Sequence, residues 1–222
     1  MYQTAHFRED RLEVQHALIR AHPLGLLVSH GAGGLDANPI PFLLDETGPY
    51  GTLRAHVARA NAVWRDLQAS PEVLVAFQAV DTYVTPSWYA SKREHGKVVP
   101  TWNYALVQAW GTARVIEDPA WLAAQIRALT TVHEGPRAEP WAVEDAPEPF
   151  IATQIRAIVG IEIAITRIEG KWKASQNRPP ADRTGVAEGL AQEGREAALA
   201  MAEMVRERSQ PSVASSAANP SR

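Results

Sequence analysis

The stretch Val98–Asp118, "VVPTWNYALVQAWGTARVIED", decides the fold. From Leu106 to Ile116, small or apolar residues occupy every second position, which is the period of a β-strand with one face in a core. The core face would carry Val107, Ala109, Gly111, Ala113 and Val115. If the strand begins as early as Thr101, then Trp102 and Tyr104 share one face while Thr101 and Asn103 share the other.

Outward from this strand, the chain contains other short apolar segments that are typical of strands. They are separated by turn residues or short helices and read "LGLLVS", "LDANPIPFLL", "YGTLRAHVA", "EVLVAFQA", "TYVTP" and "GIEIAITRIEGKWK". Pro39 and Pro41 cannot donate to a ladder, so their strand should lie at an edge or be bulged locally. The order of elements predicts a mainly β protein with peripheral helices, an antiparallel barrel of six or seven strands.

Helical segments surround these strands. Asp118 and Pro119 are typical of a helix start, and an Ala/Glu/Arg-rich helix should run from about Val186 to Arg208. The final Ser/Ala/Pro-rich residues, 209–222, indicate a disordered tail. The C-terminal helix has a partial apolar stripe. It is either an oligomerisation helix or a solvated one, and the second interpretation is slightly favoured.

Composition excludes several kinds of chemistry. The 222 residues contain no cysteine, so disulfides and thiolate sites are unavailable, and the scattered histidines predict no metal site. No segment is apolar enough to span a membrane and no secretory signal is visible, so a cytoplasmic protein is expected. The formal net charge of −3 gives no general attraction to nucleic acid.

The segment "TLRAHVARAN" is a candidate anion site. Arg54 and His56 should share one strand face, Arg59 follows, and Asn61 opens a predicted helix whose free N–H groups suit a phosphate. The alternative, an exposed basic strand end with an ordinary Asn cap, is equally compatible with the pattern.

Two further segments carry polar groups beside unusual backbone or aromatic rings. In "DANPIP", prolines leave neighbouring backbone groups free and Asn38 adds an amide, although a blunted edge strand explains the same residues. The segments "YVTPSWY", "VVPTWNY" and "KWKASQN" place Trp and Tyr beside hydroxyl and amide residues, as in a polar-lined aromatic wall.

These strings, in this order, resemble the PaiB family, which is described as FMN-binding negative transcriptional regulators. The motifs that carry the resemblance are "DANPIPFLL", "GTLRAHVARAN", "YVTPSWY", "VVPTWNYALVQAWG", "AIVGIEI" and "EGKWKASQNRP". The resemblance covers about residues 1–189, and residues beyond it look like an extension private to this chain. It therefore implies three segments: an FMN-binding split-barrel domain at 1–189, a helical extension at 190–208 and the tail at 209–222.

The resemblance also implies a split β-barrel of the FMN-binding type and a homodimer with FMN at the subunit interface. The residues that would bind the cofactor are Asn38, Pro39, Ile40, Arg54, His56, Arg59, Asn61, Thr101, Trp102, Asn103, Lys173, Gln176 and Asn177. On the strand that would begin at Thr101, the Thr101/Asn103 side is expected to contact the flavin, with Trp102 packing behind it. No catalytic base is identified, since flavin chemistry belongs to the cofactor.

Three functions remain open at this point. The first is an FMN-binding regulator that lowers expression of particular genes, directly or through a partner, although no basic helix-turn-helix is visible. The second is an FMN-dependent oxidoreductase or flavin reductase that uses NAD(P)H. The third, a flavin or tetrapyrrole carrier, is ranked last because no haem ligand is evident.

Overall fold

The computed structural model describes residues 1–209, so all but the first residue of the predicted tail, 209–222, lies outside the described residues. Within them, seven α-helices occur: α1 (Leu12–Ala21), α2 (Val63–Ala69), α3 (Ser91–His95), α4 (Pro119–Glu134), α5 (Glu148–Arg156), α6 (Pro180–Glu193) and α7 (Glu196–Glu207). The same residues form eight strands: β1 (Arg8–Glu9), β2 (Leu24–Gly31), β3 (Gly34–Pro41), β4 (Leu43–Asp45), β5 (Thr52–Ala58), β6 (Glu72–Val84), β7 (Thr101–Ile116) and β8 (Ile158–Lys173). Short 3-10 turns lie at Ala5–Phe7, Pro86–Trp88 and Val143–Asp145.

The strands form one sheet in the order β3-β2-β6-β7-β8-β5-β4, with β1 paired to β8. β2 and β3 form a hairpin, and they pair antiparallel from Leu24 opposite Pro41 to Gly31 opposite Gly34. β3 lies at the end of the order, as its prolines predict, because Pro39 and Pro41 have no N–H to give to a further strand. The segments read as "EVLVAFQA" and "TYVTP" are one continuous strand, β6.

The chain divides into two compact units. Unit 1 contains residue 1, 9–78 and 106–170, and unit 2 contains 2–8, 79–105 and 171 onward. Strands β6, β7 and β8 contribute residues to both units.

The core of unit 1 is built from alternating residues of its strands. On β7 the predicted face is buried from Val107 to Ala113, while its neighbours remain partly exposed. Gly111 is required where β7 meets β8, because a side chain there would collide with the backbone oxygen of Ala164. On α4, Asp118 caps the helix as predicted, since its carboxylate accepts the Trp121 N–H at 2.7 Å.

The core of unit 2 depends on its two C-terminal helices. Ala198, Met201, Ala202 and Val205 of α7 are fully buried in a cluster with residues of α6. The expectation of a solvated or oligomerising C-terminal helix is therefore wrong, because its apolar stripe packs within its own unit. The predicted single helix is also divided in two, since Gly194 adopts a left-handed φ of 68° between α6 and α7.

Candidate functional site

The predicted site residues fall into two groups, one in each unit. Unit 1 holds Asn38, Pro39, Ile40, Arg54, His56, Arg59 and Asn61. Unit 2 holds Thr101, Trp102, Asn103, Lys173, Gln176 and Asn177.

Arg54 of unit 1 is held between two carboxylates. Its Nη1 lies 3.0 Å from Oδ2 of Asp45, and its Nε lies 3.3 Å from Oε2 of Glu162. The antiparallel pairing of β5 with β8 places Arg54 directly opposite Glu162, which explains the second contact. The positive charge of Arg54 is therefore already balanced by protein groups.

Arg59 is also occupied. Its Nη1 pairs with the carboxylate of Glu117, its Nε donates to the backbone oxygen of Arg156 at 3.0 Å, and its Nη2 donates to that of Ile158 at 3.2 Å. Asn61 precedes α2 as predicted, and its Oδ1 accepts the N–H of Val63 at 3.0 Å. These hydrogen bonds link the end of β5 to neighbouring backbone.

His56 shares the partly exposed face of β5 with Arg54, as predicted from their spacing. Within the described residues its Nδ1 is buried and has no hydrogen-bond partner. Burial lowers the pKa of His56, because an imidazolium would lose its hydration. His56 is therefore neutral at pH 7 and keeps one ring nitrogen for a further hydrogen bond.

The "DANPIP" segment is arranged as an edge strand. Asn38 donates from Nδ2 to Oδ2 of Asp36 at 2.9 Å, Pro39 is exposed, and Ile40 is buried in the core. Only Asn38 and Pro39 of this group therefore present atoms to the outside of unit 1.

In unit 2, Lys171 and Lys173 form a cationic pair on one side of β8. Lys171 is only 8 % exposed, and its Nζ donates to the backbone oxygen of Tyr2 at 3.0 Å. Lys173 donates to Oγ1 of Thr101. Among residues 1–209, neither lysine forms an ion pair with a carboxylate.

The surroundings of Lys173 affect its acidity. Burial lowers the pKa of Lys173, and the positive charges of Lys171 and Arg178 lower it further. Lys171 was not among the predicted site residues, although the spacing of "KWK" puts both lysines on one strand face. Like charges that are buried or partly buried without a counter-charge are costly, so the arrangement favours an anionic ligand.

The exposure of the two faces at the start of β7 differs from the expectation. The strand begins at Thr101, so Trp102 and Asn103 point to opposite sides as predicted. However, Asn103 is 0 % exposed and Trp102 is 54 % exposed, so the expectation that Trp102 packs behind this strand is wrong. The core continues along the Asn103 face of β7, which leaves Trp102 outside in edge contact with Tyr83, at 6.1 Å between ring centroids.

The turn after β8 uses most of its polar groups internally. Asn103 donates from Nδ2 to Oγ of Ser175 at 3.0 Å, and Ser175 adopts a positive φ of 63°, which is uncommon for a residue other than glycine. Gln176 accepts from the Ala174 N–H at 2.7 Å and donates to the Trp172 oxygen at 2.6 Å. Asn177 is exposed. Asn103 and Gln176 therefore shape the turn that follows Lys173.

Comparison with known proteins identifies the protein family to which this chain belongs. The chain belongs to the family described as "Putative FMN-binding domain", whose match covers residues 1–167. Among solved structures, a conserved hypothetical protein, Rv2991 from Mycobacterium tuberculosis, has the same fold with a TM-score of 0.58 and 16 % identity, over 81 % of this chain and 94 % of that one. The predicted split-barrel fold class and the predicted cofactor, FMN, are confirmed.

Two curated relatives then make the family more specific. The chain is 36 % identical to the uncharacterized protein AN0679 of Emericella nidulans, over 94 % of this chain and 97 % of the relative. It is 29 % identical to "Protease synthase and sporulation protein PAI 2" of Bacillus subtilis, over 94 % and 98 %. The predicted PaiB-type family is thus confirmed. Matches of this extent include both C-terminal helices, so these helices are not private to this chain.

Proposed function

We propose that this protein is a homodimeric FMN-binding protein of the PaiB type that acts as a negative transcriptional regulator. The observation that carries the flavin part is the Lys171–Lys173 pair, since a buried and a partly buried cation without a described carboxylate partner match the charge of a phosphorylated flavin. The family match supplies the identity of the flavin. The expected cytoplasmic location stays a prediction. Among residues 1–209, no helix has the length and apolar character needed to cross a membrane.

The residues of unit 2 fit FMN in two respects. Lys173 and the Thr101 hydroxyl offer donors to an anionic oxygen, and the exposed ring of Trp102 offers an apolar surface to a flat heterocycle. When bound, FMN supplies one- or two-electron redox chemistry. In unit 1, His56 is the predicted contact that has a buried ring nitrogen without a described partner, whereas Arg54 and Arg59 already bind carboxylates.

The flavin proposal is tested by the absorption spectrum of the purified protein and by titration with FMN. We expect flavin bands in the visible range and quenching of FMN fluorescence on binding. A protein that shows no flavin bands and does not quench added FMN would exclude the proposal. A Soret band instead would favour a tetrapyrrole carrier.

The homodimer is supported by an exposed apolar face on unit 1. Leu24 and Leu26 on β2 and Leu35 on β3 are all exposed, at the edge of the sheet. A second copy that covered this face would remove these side chains from water. Light scattering should give twice the chain mass, and Leu26→Glu should shift the protein toward the monomer. Leu199→Glu, at an exposed leucine of α7, is the matched control and should leave the mass unchanged.

Membership of the PaiB-type family supports the regulatory role. The net charge of the protein argues against direct contact with DNA. The net charge of −3 gives no electrostatic attraction to phosphate backbones, so we propose that regulation acts through a partner or metabolite. Deleting the gene should raise transcripts of its targets, while the purified dimer should give no sequence-specific gel shift at physiological salt. Unchanged transcripts would count against regulation, and a specific shift would establish direct repression instead.

A second candidate is an FMN-dependent oxidoreductase that uses NAD(P)H, and it is supported by the FMN-binding family match, because FMN supplies redox chemistry. In that case the bound flavin should bleach under anaerobic NADH or NADPH and recover when an acceptor is added. A flavin that stays oxidised under these conditions would exclude this candidate. The regulator proposal does not require such a reaction.

A further inference from the structure

Lys173 of β8 is a partly exposed lysine whose amine is held by contacts within unit 2. Its Nζ donates to Oγ1 of Thr101 and lies 6.0 Å from the ring centroid of Tyr104. Among residues 1–209, no carboxylate forms an ion pair with this amine. The amine is therefore oriented by an uncharged hydroxyl beside an aromatic ring, while its side chain stays partly accessible.

The charged groups that act on Lys173 are cations. Lys171 lies two residues earlier on the same strand face, and its Nζ is 5.3 Å from the centroid of the same Tyr104 ring. Arg178 follows β8, and its guanidinium carbon lies 4.7 Å from the centroid of the Tyr89 ring. Neither cation forms an ion pair with a carboxylate in the described part of the chain. Their charge disfavours a second ammonium at Lys173 and attracts an anionic ligand group.

These surroundings favour the reactive form of the amine. A lysine attacks a carbonyl carbon only when it is neutral, because an ammonium group has no lone pair. Burial and the charges of Lys171 and Arg178 lower the pKa of Lys173, so more of it is neutral near pH 7 than of a lysine in water. While one N–H of the neutral amine donates to Thr101, the lone pair remains available to a carbon atom.

We infer that Lys173 binds a small aromatic aldehyde with an anionic substituent covalently, as an imine. A C=N bond to Nζ replaces the C=O bond, and the two protons of the neutral amine leave with the carbonyl oxygen as water. The step needs no oxidant or reductant. The Tyr104 ring offers a surface to the aromatic part, and the neighbouring cations attract the anionic group. This activity goes beyond flavin binding, although it uses the lysine pair that the proposed FMN site also uses.

The test uses 4-formylbenzoate, an aromatic aldehyde with a carboxylate, and sodium cyanoborohydride, which reduces an imine to a stable secondary amine. The full-length protein is labelled at pH 7 after removal of any bound flavin, and the rate at each lysine is measured by peptide mass spectrometry. We expect Lys173 to react about tenfold faster than Lys92, an exposed lysine of α3, because nearby cations concentrate the anion. With 4-formylbenzamide, which has a similar shape and no charge, this ratio should fall about threefold.

Two variants test whether the neighbouring cations make Lys173 reactive. Lys171→Met and Arg178→Met each remove one positive charge and leave the amine in place, so each should slow labelling of Lys173 about threefold. Arg178 is partly exposed, which keeps the test available if the buried Lys171 position does not tolerate substitution. Lys97→Met, at an exposed lysine of unit 2, is the matched control and should leave the rate at Lys173 unchanged. Thermal unfolding should confirm that each variant is folded.

Equal labelling rates at Lys173 and Lys92 would overturn the inference, and so would a rate ratio that is the same for both aldehydes. Fluorescence titration of the same protein with FMN keeps this result separate from the proposed function. FMN binding without fast labelling of Lys173 would overturn only the aldehyde inference. Fast labelling in a protein that does not bind FMN would overturn only the flavin proposal.

Discussion

In unit 1, Arg54 and Arg59 lie against carboxylates, whereas in unit 2 Lys171 and Lys173 lie against the uncharged oxygens of Tyr2 and Thr101. The arginines come from the segment that the sequence offered as an anion site, whereas the lysines come from "KWKASQN", which the sequence offered as part of an aromatic wall. Only the lysines, however, have positive charge that no described carboxylate balances. A basic motif can bind an anion when no carboxylate of the protein pairs with its charge. Whether such a carboxylate is present depends on residues distant in sequence, such as Glu162.

The largest expected effect is on FMN affinity, and it tests this difference between the arginines and the lysines. Lys173→Met keeps the length of the side chain and removes its charge, so FMN affinity should fall about 10- to 100-fold, the value of a charge-assisted hydrogen bond. Riboflavin, which lacks the phosphate, is measured in parallel by fluorescence titration. If its affinity falls equally, Lys173 interacts with the ring system.

The matched control for this variant is Lys92→Met. Lys92 is an exposed lysine of α3, also in unit 2, and its Nζ donates to Oγ of Ser87 at 3.2 Å. FMN affinity should be unchanged in this variant. Wild-type affinity in Lys173→Met would remove the proposed role of the lysine pair.

Arg54→Met should give the opposite pattern, with a change in stability and less than about a threefold change in FMN affinity. The substitution leaves Asp45 and the largely buried Glu162 without this partner, so the free energy of unfolding should fall by about 1–2 kcal/mol. Urea unfolding measures this change. Arg114→Met is the control, since Arg114 also pairs with Glu162 but is more exposed, and it should cost less. A loss of FMN affinity in Arg54→Met at an unchanged free energy of unfolding would contradict this difference between the two units.

The sequence predicted elements whose signal is local. The alternation on β7, the edge position of Pro39 and Pro41, and the Asp118 cap all follow from rules that involve a few neighbouring residues. The family followed from strings such as "HVARAN". The burial of α7 was missed because Ala198 and Ala202 extend a weak apolar stripe only when α6 is present to cover it.

The parts of the site that sequence reasoning missed depend on long-range contacts. Glu162 lies 108 residues from Arg54, and no local pattern indicates that they pair. The buried position of Asn103 depends on Ser175, which lies 72 residues away. Lys171 could have been found from its spacing to Lys173, but its burial depends on the N-terminal residue Tyr2.

A smaller effect should be visible in the absence of flavin. Burial and the neighbouring charges of Lys171 and Arg178 lower the pKa of Lys173, so its charged form destabilises the folded state. Lys173→Met should therefore raise the Tm of the flavin-free protein by about 2–4 °C. The unfolded state holds the proton more tightly, so wild-type stability should rise and the difference should narrow as the pH rises toward 10.5, the ordinary pKa of a lysine. A lower Tm in Lys173→Met would mean that the Thr101 contact outweighs the cost of the charge.

The smallest effect concerns His56, the one residue of the unit 1 motif whose ring nitrogen is buried without a described partner. Because burial lowers its pKa in the folded state, the unfolded state binds a proton first as pH falls below about 6.5. Its contribution to stability is thus present above that pH and is lost as pH falls. Between pH 7 and 6, wild type should lose about 0.5 kcal/mol more than His56→Gln, while His30→Gln, at an exposed histidine, should follow wild type. If bound FMN removed this difference, the cofactor would contact His56.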